Sequence, residues 1–190
     1  METEWLSDDE RGAWVRLAAV LELLPGVLDT QLRRDADLTH FEYFLLAMLS
    51  EAPGRTLRMT SLAQRTNATL PRLSHVVRRL EDRGLVRRFP CPEDGRATNA
   101  QLTDAGWTKV VDTAPGHVAN VRENVIDALS DQQVAQLAEI TEAILARIDP
   151  AGVVMSQHRG CGPPARRSSR GRRPTAGGCT RTGAGRVPPR

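Results

Sequence analysis

Side chains able to donate several hydrogen bonds crowd one stretch of this 190-residue chain, from Met59 to Trp107. Between Leu70 and Arg83, the residues Leu73, Val76, Val77 and Leu80 recur at helical spacing and make one apolar stripe. Opposite it, at about 100° per residue, stand Ser74, His75 and Arg78, flanked by Arg72 and Arg79. Such side chains can donate to base edges and phosphates. Alone, the pattern equally fits an ordinary solvated helix face. The ends of the helix are marked by residue type. Thr69 offers an N-cap hydroxyl, Pro71 fits a first turn that has no use for its amide hydrogen, and Gly84 ends the helix.

The next segment narrows the choice. Leu85 to Pro90 alternates as a strand, with Arg87 and Arg88 as polar members. Cys91 to Arg96 is turn chemistry carried by Pro92, Asp94 and Gly95, and Ala97 to Leu102 returns as a second strand. Arg96 is expected at or near the hairpin tip, where an arginine can enter a narrow minor groove while Asp94 braces it by an ion pair. A helix bearing exposed Arg and His, followed at once by an Arg-tipped hairpin, is far more specific than either part. The two together predict a winged helix-turn-helix, which places one helix in a DNA groove and a hairpin beside it.

These residues resemble the MarR family of bacterial transcription regulators. The likeness is carried by VxxLEDRGLVRR from Val77 to Arg88, and by EDGRATNAQLTDAG from Glu93 to Gly106. Its most specific parts are Asp94-x-Arg96 and the helix start Leu102-Thr103-x-x-Gly106. With lower specificity it extends from about Asp8 to Pro150. The resemblance implies an obligate homodimer on a pseudo-palindromic operator. It also implies, in many members, release from DNA by a small ligand or an oxidant. A crevice between dimer helices and reading head is where such members hold aromatic acids, and Trp14, His40 and Trp107 are the candidates to line one here.

Composition agrees and excludes other classes. Hydrophobic residues make up 40%, enough for a core, and aromatic residues only 4%. No apolar run reaches the roughly 18 residues of a membrane span, and the acidic N-terminus is not a signal peptide, so a cytoplasmic protein is expected. The net charge of +3 hides a division. Nine Arg and no acid lie in 159–190, which leaves 1–158 at −6. Residues 58–96 hold nine Arg against four acids, so positive charge is concentrated where the proposed reading head lies. Cys91, Cys161 and Cys179 form no C-x-x-C pair, and His40, His75, His117 and His158 show no ligand spacing, so neither a metal nor a cofactor is expected. Adjacent helical Ser74 and His75 diverge by about 100°, which is wrong for a nucleophile and its base, and no phosphate loop or paired-carboxylate motif is present. An enzyme is therefore not expected.

Around the reading head the chain reads as helices. Residues 8–36 carry Trp14, Leu17, Leu21, Leu24, Leu28 and Leu32 at steps of three or four, with a kink predicted at Pro25-Gly26. Thr39 to Ser50 forms a helix with a Thr39/Glu42 capping box and with Phe41, Phe44, Leu45, Met48 and Leu49 inward. Leu57 to Met59 is a candidate edge strand beside the wing, and Thr60 a cap for the helix beneath the recognition helix. Thr103 to about Leu129 reads as one long helix bent at Pro115-Gly116. Ser130 and Gln133 make a second capping box for a last helix ending at Ile148. From Ala151 the chain loses large apolar residues and helical period, and disorder is expected. That tail is either a basic arm adding nonspecific DNA affinity or an extension without a role. The abrupt change of composition favours the second.

The fold expected is mainly α with a small β-hairpin: an N-terminal dimerisation helix (1–36), a winged helix-turn-helix (37–102), C-terminal dimerisation helices (103–150) and a basic tail (151–190). The function expected is a homodimeric, sequence-specific DNA-binding regulator, acting by repression. Thr69, Pro71, Arg72, Ser74, His75, Arg78, Arg79, Asp94 and Arg96 are its DNA-facing candidates, and a small aromatic effector is a possible second partner. The alternatives are a winged-helix module that binds protein, and a redox-responsive regulator sensing through Cys91. A reduced, semi-buried strand cysteine is the simpler account of Cys91, since no partner cysteine is near in sequence.

Overall fold

A computed structural model describes residues 4–92 and 94–154. The tail lies outside the described residues apart from its first four positions. The first element is α1 (Asp8–Ala36), opened by a capping box between Ser7 and Glu10. It runs unbroken through Pro25. Asp37, in left-handed conformation at φ 50°, turns the chain into α2 (His40–Glu51). The predicted capping box is present there: Thr39 Oγ1 accepts from the Glu42 amide at 3.1 Å, and Glu42 Oε2 accepts from the Thr39 amide at 2.8 Å.

A 3-10 turn at Pro53–Arg55 leads into β1 (Thr56–Arg58), then α3 (Met59–Arg65) and α4 (Leu70–Asp82). The predicted cap at Thr60 is a correction. The helix already starts at Met59, and its cap position is Arg58, which makes no side-chain cap bond. Strand runs straight into helix, so the last strand residue occupies the cap. Beyond α4, the Gly84 amide donates to Glu81 O and the Leu85 amide to Leu80 O, both at 2.9 Å. Gly84 takes φ 70°, and the pair of bonds is the glycine-dependent helix stop that its sequence position predicts.

Two longer strands follow, β2 (Val86–Cys91) and β3 (Asp94–Leu102), in an antiparallel sheet of order β1-β3-β2. The short β1 pairs with β3 as expected of an edge strand. Then comes α5 (Asp104–Val121). Thr103 caps it, accepting from the Gly106 amide at 3.0 Å while its hydroxyl donates to Gly84 O at 2.7 Å. A Cβ on Gly106 would lie 2.1 Å from the Leu85 carbonyl oxygen, so only glycine lets α5 start against the end of the wing. The single helix predicted to Leu129 is shorter than expected. It passes at Arg122–Ile126 into a π turn, where the Asp127 amide reaches Arg122 O and Arg122 pairs with Asp127. Last is α6 (Asp131–Ile148), opened by the predicted Ser130/Gln133 capping box.

The core is the meeting of α2, α3, α4 and the sheet with the C-terminal end of α1. Leu32, Leu45, Leu49, Leu62, Leu73 and Leu80 are fully enclosed. The predicted α1 stripe divides. Leu28 and Leu32 are buried, whereas Trp14, Leu17 and Leu21 are exposed. Phe41 and Phe44, expected inside, are only half-buried.

Candidate nucleic-acid interface

The recognition helix α4 buries Leu73, Val77 and Leu80, with Val76 half-buried beside them. This fixes what remains outside. Pro71, His75 and Arg78 are exposed on the far face, and Ser74 is half-buried where that face turns toward the wing. Pro71 sits in the first turn as predicted. Thr69 occupies the cap position with extended backbone, but its hydroxyl makes no cap bond. That corrects the expected role: the first-turn amides are not taken up by Thr69.

Arg72 and Arg79 do not share the free face. The Arg72 guanidinium lies 4.7 Å over the Phe41 ring, and Arg79 Nη2 is 3.2 Å from Glu42 Oε1. Seven residues apart, they occupy one flank and turn toward α2. Helical spacing alone put them beside His75, but the half-buried aromatic and the buried carboxylate on α2 draw them sideways.

An ion pair ties the wing to α4. Arg88 donates to Glu81 Oε2 from Nε at 2.9 Å and from Nη2 at 2.6 Å, and its amide donates to Glu81 Oε1 at 3.0 Å. Arg88 holds the Glu81 carboxyl below its ordinary range, against a smaller opposing effect of burial. At the tip the register slips. Pro90 faces Thr98 while Cys91 faces Asp94, so Gly95, Arg96 and Ala97 have no partner across the strand. Arg96 is thus centred in a bulge just inside β3, not in the turn itself. Bulges re-aim a side chain out of a regular ladder. The expected Asp94–Arg96 ion pair is replaced by a backbone contact, with Asp94 Oδ1 accepting from the Arg96 amide at 3.2 Å.

Between α4 and the wing runs a groove of about 250 Å³, lined among others by Arg58, Thr60, Ser74, Arg88, Arg96 and Thr98. Of these, Arg58, Thr60, Arg88 and Thr98 are not among the DNA-facing candidates read from sequence. Arg58 and Thr60 straddle the strand-to-helix junction, at the N-terminal edge of the arginine-rich stretch. The available signal was Arg58 at the end of an edge strand that pairs with the wing. A second hollow, about 420 Å³, lies at the α3–α4 turn beside Gln64, Asn67 and Thr69. The surface presented is therefore a helix face, a basic groove and a polar hollow in sequence, all rich in donors and able to meet a polyanion.

The candidate effector residues are not brought together. Trp14 stands on the exposed part of α1, fifteen residues before the Asp29 that accepts the His40 amide at 2.8 Å, which is about 22 Å of helix. Trp107 lies under the Arg55 guanidinium at 4.2 Å, about 15 Å along α5 from His117. His40 meets His117 with ring centroids 6.5 Å apart, and Tyr43 packs on His117 at 4.7 Å. Burial lowers the pKa of both histidines. Asp29 opposes the shift at His40, and the charge of His40 adds to it at His117. Cys91 is buried, and Arg58 Nη2 lies 3.5 Å from its sulfur. Among the described residues no group of three or more His, Cys, Asp or Glu could hold a metal, and no helix is long and apolar enough to cross a membrane.

Comparison with known proteins agrees with this architecture. The MarR family model matches residues 38–98. The crystal structure of Sco3205 from Streptomyces coelicolor, a MarR family transcriptional regulator in complex with DNA, is 44% identical. It superposes with a TM-score of 0.75, covering 79% of this chain and 94% of that one. AbsC, another MarR family regulator of S. coelicolor, is 36% identical with a TM-score of 0.73, over 78% of this chain and 99% of its own. The Bacillus subtilis transcriptional repressor YetL is 27% identical over 139 residues, 67% of this chain and 83% of YetL. With the fold, the wing motif and relatives matched over nearly their full length, the chain belongs to the MarR family of winged-helix transcriptional regulators.

Proposed function

We propose that this protein is a cytoplasmic repressor that binds a pseudo-palindromic operator as a homodimer. The observation that carries the proposal is the free face of α4, with Pro71, Ser74, His75 and Arg78, continuing into the groove that holds Arg58 and Arg96. In this reading α4 enters a major groove. His75 and Arg78 approach base edges or phosphates, and Arg96 follows into the flanking minor groove. The 44% identity to a regulator solved in complex with DNA supports it.

Pairing is supported by the surface left over. Trp14, Leu17 and Leu21 on α1 and Ile140, Ile144 and Ile148 on α6 are exposed, and contiguous apolar faces of that kind mark interaction sites. Two-fold symmetry would set the two recognition helices about 34 Å apart, one turn of the duplex. A small aromatic effector would release DNA only by binding the non-operator spacing of the heads better than the operator spacing. A thermal-shift screen of phenolic acids, read beside operator release, tests that arm; a flat response across the panel removes it.

The principal test is selection of bound duplex followed by titration of salt. With four phosphates per subunit, log K should fall against log salt with a slope of roughly −7, from about −0.9 per phosphate. A selected pseudo-palindrome bound with that slope is the expected result. Absent or salt-independent binding would leave the fold serving as a protein-interaction module instead.

A further inference from the structure

Three contacts along one flank of α4 and its C-cap reach one short segment, residues 37–42, where α1 passes into the first turn of α2. Arg72 lies over Phe41, Arg79 faces Glu42 Oε1 at 3.2 Å, and Arg83 Nη2 donates to the Asp37 carbonyl at 2.8 Å. Glu42 is not an ordinary surface partner, because its side chain is only 2% exposed. One carboxylate oxygen caps α2 by accepting the Thr39 amide, and the other faces Arg79. A buried carboxylate is costly unless its charge is answered. Oε1 accepts no hydrogen bond, and the charge is met by the Arg79 guanidinium at 3.2 Å, with the Arg33 charge also acting on it. The same turn is fastened to α1 through the His40 amide and Asp29. A continuous path therefore runs from the recognition helix through Glu42 to the helix that carries the exposed apolar face.

We infer that the Glu42–Arg79 pair is a latch fixing the tilt of α4 on its scaffold, and that Arg79 is a positioning residue and not a DNA contact. The inference rests on the DNA-binding reading given above. It departs from the helical pattern, which groups Arg79 with the groove-facing residues. The opposing account is that Arg79 leaves Glu42 and binds a phosphate when DNA arrives.

Glu42→Gln separates the two, because glutamine still caps α2 while the charge is gone. A latch predicts about a tenfold loss of affinity for the selected operator, within the usual range of coupling between contacting residues. Binding to unrelated duplex and the salt slope should stay as in the parent chain. Arg79→Gln should give the same loss, and the double variant no more than either single one. A phosphate contact predicts instead that Glu42→Gln binds as well or better, and that Arg79→Gln makes the slope shallower by about 1.8, two phosphates per dimer. Either of those results overturns the latch. Should Glu42→Gln fail to fold by circular dichroism, the Arg79→Gln slope decides alone. A thermal double-variant cycle without DNA reads the Glu42–Arg79 coupling directly, and additive melting shifts would also overturn the latch. If the parent chain binds no duplex, the functional reading falls, and the cycle still reports on the pair.

Discussion

The reading head and the outer helices are built from the same apolar residue types, yet they end in opposite states. In α4, Leu73, Val77 and Leu80 are sealed. In α6, Leu137, Ile140, Ile144 and Ile148 recur at comparable spacing, and the helix has no buried residue at all. The helix α1 shows both states along one length: Leu28, Gln31, Leu32 and Ala36 are buried near its end, while Trp14, Val20, Leu21 and Leu23 stand exposed before it. An apolar stripe states only that burial is favourable. Whether the same chain supplies the cover depends on where the fold leaves its other elements. The head carries a complete core, whereas the outer helices leave apolar faces uncovered, which the proposed homodimer would use as half of an interface.

That contrast can be broken most directly at the outer faces. Replacing Leu21 and Ile140 together by Glu should convert a dimer to a monomer in sedimentation equilibrium. It should also reduce operator affinity by a factor on the order of 10² to 10⁴, the gain lost when two linked sites no longer act together. A parent chain that sediments as a monomer would refute the half-interface account at once. Within the head, Leu73→Ala should cost about 2–5 kcal/mol in chemical denaturation, by transfer and cavity terms. Leu23→Ala, assayed in that monomeric background, should stay within about 0.5 kcal/mol, the usual range for so exposed a side chain. Equal costs at the two leucines would mean that the exposed stripe is covered within one chain after all.

Smaller effects sharpen the comparison. Arg96→Ala should weaken operator binding by about 1–3 kcal/mol without altering the melting temperature, since the side chain is exposed in the bulge and bears no core contact. Unchanged affinity would remove the wing from the interface. The least effect is expected at the seam between head and scaffold, where His40 and His117 meet. Burial lowers both pKa values in the folded chain, so the unfolded chain binds their protons first. Stability should be full above the ordinary histidine range and should decline as pH falls below about 6.5, the unperturbed value. Denaturation midpoints between pH 7.5 and 5.5, compared with His117→Asn, would report it. A variant that declines as steeply as the parent would assign the change to other groups.

Local chemistry made much of this protein legible. The capping boxes at Thr39 and Ser130, the Gly84 stop, the edge strand, and the Thr103-x-x-Gly106 helix start all appear where residue type and spacing put them. Each depends on contacts within a few residues or on a single glycine, so the signal is complete in the chain. Regional charge likewise located the arginine-rich surface, because charge density survives any choice of rotamer.

What sequence left undecided is which neighbour each long side chain takes. Arg72, Arg78 and Arg79 are chemically alike and lie within about two turns of one helix, yet Phe41 and Glu42 claim two of them from thirty or more residues away. The bulge that carries Arg96, the groove that enlists Arg58, and the division of α1 into covered and uncovered parts are of the same kind. Periodicity assigns a face to a helix. Only packing decides what stands opposite that face, because an arginine long enough to reach solvent, phosphate or carboxylate settles where the surrounding elements lower its free energy most.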